Sequence, residues 1–220
     1  MLDRDHDHGV LQRPKRALSV AHAHAALPGF SLIDVLVSIT VIAVLIGLLL
    51  PSLSSVNETA RRVVCQSNVR QVGLGVVMYA DDWNGLLPYS EFLAEPQEML
   101  LLRRGAGSTA DGVSAWDGIG LLFSAGYLTA PKVFYCPSHH GENPYRLFAA
   151  GWSEGSDEIV SNYHFRGQGP TGVPGSPPTR FLYRIDPGQS SLIADAMRLR
   201  SDYNHKIGSN FFRADLTVHW

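Results

Sequence analysis

From Val35 to Leu50 the chain runs VLVSITVIAVLIGLLL without one charged residue, and Pro51 follows. With Phe30–Ile33 this makes roughly 20 residues, enough to cross a bilayer as a helix. A single carboxylate, Asp34, stands near the start of the run. Even near one end, a carboxylate at membrane depth is costly and calls for compensation. A cut after Gly29 would supply it, because Phe30 would then carry a positive amine one helical turn from Asp34. Opposite charges near lipid attract far more strongly than in water. The alternative leaves Asp34 at headgroup level with no specific role.

Length and charge bound the remainder. The chain has 220 residues, 18 basic and 20 acidic, for a net charge of −2. One modest domain fits beside the anchor, and no basic excess points to nucleic acid as a partner. Before the apolar run, Arg13, Lys15 and Arg16 favour a cytoplasmic N-terminus. Arg61 and Arg62 on the far side keep that rule from deciding alone. The same leader holds His6, His8, His22 and His24, a composition that also suits metal. An ordinary secretory signal does not fit, since Pro28-Gly29 precedes the apolar run instead of following it.

Beyond Pro51, Cys65, Val69, Val72, Val76 and Tyr79 recur at helical spacing and predict an amphipathic helix with one face packed on a domain. Gly73 and Gly75 each lower helix propensity by about 1 kcal/mol relative to Ala, which implies close packing or an early end. A short helix is predicted over Glu91–Arg103 and another within Ile119–Leu128. Gly105–Gly118 and Arg166–Thr179 read as loops. Strands are predicted at Val133–Cys136, Phe181–Ile185 and Ser191–Ala194, with a terminal hairpin or a bent strand over Phe211–Trp220. A long N-terminal helix followed by such strands implies an α+β fold with a small antiparallel sheet.

Gly29-Phe30-Ser31-Leu32-Ile33-Asp34, the apolar run and Pro51 together resemble the class III signal of type IV pilins and type II secretion pseudopilins. That resemblance implies a prepilin peptidase that cuts after Gly29 and methylates Phe30. It implies that Asp34, where the family usually has Glu, serves assembly with other pilin or pseudopilin subunits. Cys65-Gln66-Ser67-Asn68-Val69-Arg70-Gln71-Val72-Gly73-Leu74, then Tyr79-Ala80-Asp81-Asp82 and Leu87-Pro88-Tyr89, look like the pseudopilin-like group with a C-terminal H-x9-DG element. His205 and Asp215 keep that spacing, with Leu216 in place of the Gly.

The resemblance thus implies a pilin-like organisation. Residues 1–29 are a leader that is removed, 30–51 a transmembrane helix, 52–82 an amphipathic stalk and 83–220 an extracytoplasmic head with the element at 205–215. The expected setting is the bacterial inner membrane, single-pass, with the N-terminus cytoplasmic and the head outside, in a surface or periplasmic fibre. A monomeric anchored protein whose head binds a ligand or surface polymer is the alternative.

No enzyme is expected. P-loop, HExxH and paired CxxC patterns are absent, and no serine has a placed His and carboxylate. His139 and His140 beside Cys136 are metal-ligand types, although Cys136-Pro137-Ser138 also matches the family's core sequence. Asp111, Asp117, Asp157, Glu158 and Asp202 have oxygens that suit Ca²⁺ but lack EF-hand spacing. Neither set has the spacing of a defined site: no metal and no cofactor is expected, with Ca²⁺ as the alternative. Cys65 and Cys136 could close a disulfide around about 70 residues, worth ~4 kcal/mol in the chain-entropy view, or remain buried thiols. At the C-terminus, His205 is expected to hydrogen-bond Asp215 across the hairpin. The missing Gly at Leu216 is expected to shift or widen the turn.

Overall fold

The computed structural model describes residues 29, 31–91, 100–105, 115–154, 157–195, 203–205 and 207–220. The leader up to residue 28, Phe30, Asp111 and Asp202 therefore lie outside the described residues. Helix α1 (Leu32–Asp82) is 51 residues long and runs through Pro51. The chain divides into two units, Met1–Gly47 and Leu48–Trp220.

In the first unit every described residue is exposed, and α1 as a whole is long and apolar enough to cross a membrane. A helix that is apolar all round is unstable in water unless lipid or protein covers it. Its hydroxyls are already satisfied: Ser38 donates to the Asp34 carbonyl at 2.7 Å and Thr40 to that of Val37 at 2.8 Å. Such back-bonding removes the donor that would otherwise be costly in hydrocarbon.

The second unit has an α+β fold. Strands β1 (Leu101–Arg103) and β2 (Ile159–Val160) form a two-stranded antiparallel sheet. Strands β3 (Tyr163–Phe165), β4 (Ser191–Asp195), β5 (Phe211–Arg213) and β6 (Val218–His219) form a four-stranded antiparallel sheet in that order. Short helices α2 (Gly120–Ser124), α3 (Tyr145–Phe148) and α4 (Gly151–Glu154) fill the connections. The predicted stripe on α1 is the core face: Cys65, Val69, Val72 and Val76 are fully buried. They pack with Phe134, Tyr163, Phe165, Leu192 and Phe212 in one core. Gly73 and Gly75 serve close packing, against Phe212 and against Leu122 and Leu128. The helix ends beyond them, where Asn84 and Gly85 take positive φ and the Gly85 amide donates back to the Ala80 carbonyl at 2.7 Å.

Three predicted elements are corrected. Leu101–Arg103 is strand, not helix, because all three residues are buried and the segment pairs with β2. The segment around Val133 is a 3-10 turn over Pro131–Phe134. Pro131 pre-sets the helical φ and has no N–H to leave unpaired. Leu182–Arg184 is likewise a 3-10 turn, which buries Leu182.

The terminal hairpin forms as predicted, with a widened turn. The Leu216 amide donates to the Arg213 carbonyl at 3.0 Å and the Arg213 amide to that of Thr217 at 2.9 Å, so three residues make the loop. Leu216 sits at φ 66, a conformation that costs a non-Gly residue about 1–2 kcal/mol. Leu216→Gly is therefore expected to raise the melting temperature of the purified protein by roughly 2–4 °C. An unchanged or lower value would show that contacts of the Leu216 side chain outweigh the backbone strain.

Candidate functional site

The two groups of residues singled out by the sequence fall in different units. In the first, Gly29 precedes the start of α1, and Asp34 lies in its first turn. The Ser31 hydroxyl accepts from the Ile33 amide at 3.3 Å, and the Asp34 carboxylate accepts from the Ser31 amide at 3.2 Å. This reciprocal arrangement is a capping box, which satisfies two orphan donors of a helix start. Asp34 thus stabilises the helix start, a role the motif alone does not reveal. The S-x-x-D pattern of Ser31–Asp34 is the signal from which it can be read.

In the second unit, Cys65, Cys136, Asp195 and His205 meet inside the core. Each comes from a different segment, and each is at most 3% exposed. Cys65 projects from the buried face of α1. Cys136 follows the 3-10 turn, in a stretch pinned on three sides. The Ser161 hydroxyl donates to the Phe134 carbonyl at 2.6 Å, Asn68 to the Tyr135 carbonyl at 3.0 Å, and the Cys136 amide to Asn162 Oδ1 at 2.7 Å. Asp195 ends β4, and His205 lies in the connection to β5.

The contacts are short. Cys65 Sγ is 3.1 Å from Asp195 Oδ2, Cys136 Sγ is 3.4 Å from His205 Nε2, and that nitrogen is 3.5 Å from Asp195 Oδ2. Around them, His205 Nδ1 lies 2.7 Å from Glu58 Oε1, and Ser138 donates to Glu58 Oε2 at 3.1 Å. The Ser209 hydroxyl donates to Asp195 Oδ1 at 2.5 Å and Asn210 Nδ2 to Oδ2 at 3.1 Å. Trp220 closes the outer side, its ring edge-on to His205 at 5.2 Å, with Arg62 stacked over the indole.

Burial pushes the Cys65 thiol well above its ordinary pKa. For His205, burial works against the charged ring, but hydrogen bonds to Cys65 and Glu58 and the Asp195 charge outweigh it and raise the pKa. Burial pushes Glu58 up as well; hydrogen bonds from His205 and Ser138 prevail and hold it below the usual glutamate range.

Three of the residues named from sequence, Cys65, Cys136 and His205, are therefore brought together. The two cysteines are free thiols with no bond between them. The expected His205–Asp215 hydrogen bond is replaced: His205 pairs with Glu58, while Asp215 Oδ1 accepts from the Thr217 amide at 3.1 Å and its hydroxyl at 2.5 Å. A short Asp side chain reaches its own turn two residues on with little loss of entropy. Sequence reasoning missed Asp195 and Glu58. Neither stands at a diagnostic spacing from the cysteines, and only Glu58, on the helical face of Cys65, has a periodicity that could have suggested it.

The other candidates do not converge. His139 Nδ1 is 2.5 Å from Asn204 Oδ1, and its Nε2 accepts from the Asn143 amide at 3.2 Å, so both ring nitrogens are engaged. Asp117 is buried and accepts from the Ser90 hydroxyl at 2.6 Å and the Glu91 amide at 2.9 Å. Asp157 and Glu158 are exposed. Among the described residues, the Cys65 cluster is the one group of three or more such side chains that draws its ligand atoms together.

Residues 54–100 match a family model described as "Protein of unknown function (DUF1559)". The matched stretch includes Glu58, Cys65 and the packed part of α1. No curated protein and no solved structure matches the chain.

Proposed function

We propose that this chain is a pilin-like structural subunit without enzymatic activity, related to the pseudopilins. A prepilin peptidase cuts it after Gly29, the apolar half of α1 anchors it in the bacterial inner membrane, and the head lies outside the cytoplasm. It then assembles with other pilin or pseudopilin subunits into a type II secretion pseudopilus or a type IV pilus-like fibre. The observation that carries this reading is the exposed apolar helix that begins directly after Gly29-Phe30-Ser31, with one carboxylate in its first turn. A helix of this kind is covered equally well by lipid before assembly and by neighbouring subunits after it. The family match is compatible with a pilin-like surface protein.

The test is mass spectrometry of the mature N-terminus, where a methylated Phe30 is expected and an intact Met1 would overturn the reading. Asp34→Asn should leave the cut intact and reduce incorporation into crosslinked fibres several-fold. Asn keeps an acceptor for the Ser31 amide, so the substitution removes the charge while sparing the cap. Equal incorporation of both forms would assign Asp34 to helix capping alone.

A further inference from the structure

We propose that Cys65 Sγ, Cys136 Sγ, an Asp195 carboxylate oxygen and His205 Nε2 bind one zinc ion. These four ligand atoms lie within 4.8 Å of one another, and all four residues are buried. Tetrahedral zinc, with bonds of roughly 2.0–2.3 Å, places its ligand atoms roughly 3.3–3.8 Å apart. Three of the six edges of this set measure 3.1, 3.4 and 3.5 Å. A small contraction or expansion of side chains would therefore form the site, with no movement of the backbone elements that bear them.

The surroundings are those of a metal ligand set. Glu58 takes the Nδ1–H of His205 and so aims the Nε2 lone pair into the cluster. Ser209 and Asn210 orient the Asp195 carboxylate. The Tyr163 hydroxyl, 3.7 Å from Cys65 Sγ, is placed to donate to a thiolate. Carboxylate–histidine pairs and hydrogen-bonded ligating carboxylates are the usual outer partners of a metal. Asp195 is fully buried; it accepts from Ser209, Asn210 and the Cys65 thiol, and its ion-pair partner among the described residues is His205. The two thiols that face it are weak donors. Zinc binding displaces one proton from each thiol, and the Nε2 proton of His205 where the ring is charged, and sets a dication against the two thiolates and the carboxylate.

Donor chemistry selects the metal. Thiolate and imidazole disfavour Mg²⁺ and Ca²⁺, and two sulfurs with one nitrogen and one oxygen suit tetrahedral zinc. All four positions come from the protein and are closed to solvent, so the ion is structural. It would tie α1, the segment after the 3-10 turn, the end of β4 and the connection before β5 to a single point.

The experiment uses the full chain, purified in detergent without a metal-affinity step. Elemental analysis should find about one zinc per chain. Exchange with Co²⁺ should give the visible and near-ultraviolet bands of a tetrahedral thiolate site. Stripping the metal with a strong chelator should lower the melting temperature by roughly 10 °C. Cys136→Ser should abolish binding; because that variant could also misfold, Glu58→Gln supplies the second arm. Glu58 is partly exposed, and its substitution should leave a folded protein that binds zinc about 10–100-fold more weakly in chelator competition. Protein that takes up no zinc, and whose melting temperature is the same with and without zinc, would overturn the proposal. So would a Cys65–Cys136 disulfide in the isolated chain, a different metal at full stoichiometry, or unchanged zinc affinity in Glu58→Gln. Zinc content is read independently of the N-terminus, so failure here leaves the processing reading untouched, and an unprocessed N-terminus leaves the zinc site untouched.

Discussion

Gly120→Ala is expected to destabilise the head by about 3 kcal/mol or more. A Cβ at this position would stand 2.0 Å from the Leu102 carbonyl oxygen and 2.8 Å from its carbon. Those atoms are backbone, and they belong to β1, whose position is fixed by pairing with β2. The same carbonyl oxygen accepts from the Asp117 amide at 2.9 Å. No rotamer change can relieve such a clash, so α2 must lift from β1 or the β1–Asp117 contact must break. The melting temperature should fall by roughly 6–12 °C in a protein of this size. Gly126→Ala makes a suitable control. Its Cβ would meet nothing within 4 Å, so only the positive φ of 81 opposes it, at about 1–2 kcal/mol. Equal melting of the two variants would show that the close approach of α2 to β1 is not what Gly120 provides.

Gly73→Ala is expected to reverse the usual sign of a glycine-to-alanine change within a helix. On propensity alone Ala should gain about 1 kcal/mol. Here its Cβ would lie 2.4–2.5 Å from the ring of Phe212, a fully buried residue of β5. Overpacking of this kind costs about 1–3 kcal/mol, and the propensity gain offsets only part of it. Unlike the Gly120 clash, this one involves a side chain, so it can be tested with a partner. Phe212→Leu alone should destabilise by opening a cavity. Combined with Gly73→Ala it should cost less than the sum, with a coupling of about 1 kcal/mol or more. Additive effects in chemical denaturation, or a more stable Gly73→Ala protein, would disprove that α1 and the sheet meet in this register.

Both variants probe what the order of residues leaves unstated. Gly73 and Gly75 read in the sequence as close packing or as a helix end. Only the position of Phe212, far along the chain, decides for packing. Gly120 lies at the edge of an apolar segment whose helix was predictable, yet its need for a bare backbone arises from Leu102, in a stretch whose periodicity suggested helix. Short runs of apolar residues such as Leu101–Arg103 and Val133–Cys136 carry too few periods to separate helix, strand and 3-10 turn. Burial and pairing partners made the choice.

The long apolar run, its lone carboxylate and the buried stripe of α1 were determined by the sequence itself. Each depends on local chemistry: uncharged length against a hydrocarbon thickness, or a repeat of 3.6 residues along one face. The terminal hairpin and the unfavourable Leu216 turn were local as well. The Cys65–Cys136–Asp195–His205 cluster belongs to tertiary structure alone. Its members are scattered along the chain without a motif spacing; from sequence, Cys65 and Cys136 were offered to each other only as a possible disulfide, and His205 was assigned Asp215. Local reach gives Asp215 to Thr217, whereas α1, β4 and the turn before Cys136 bring Glu58, Asp195 and both thiols to the imidazole. Convergence of side chains from distant segments depends on how helix and sheet pack, and that is fixed by the whole core rather than by any short stretch of residues.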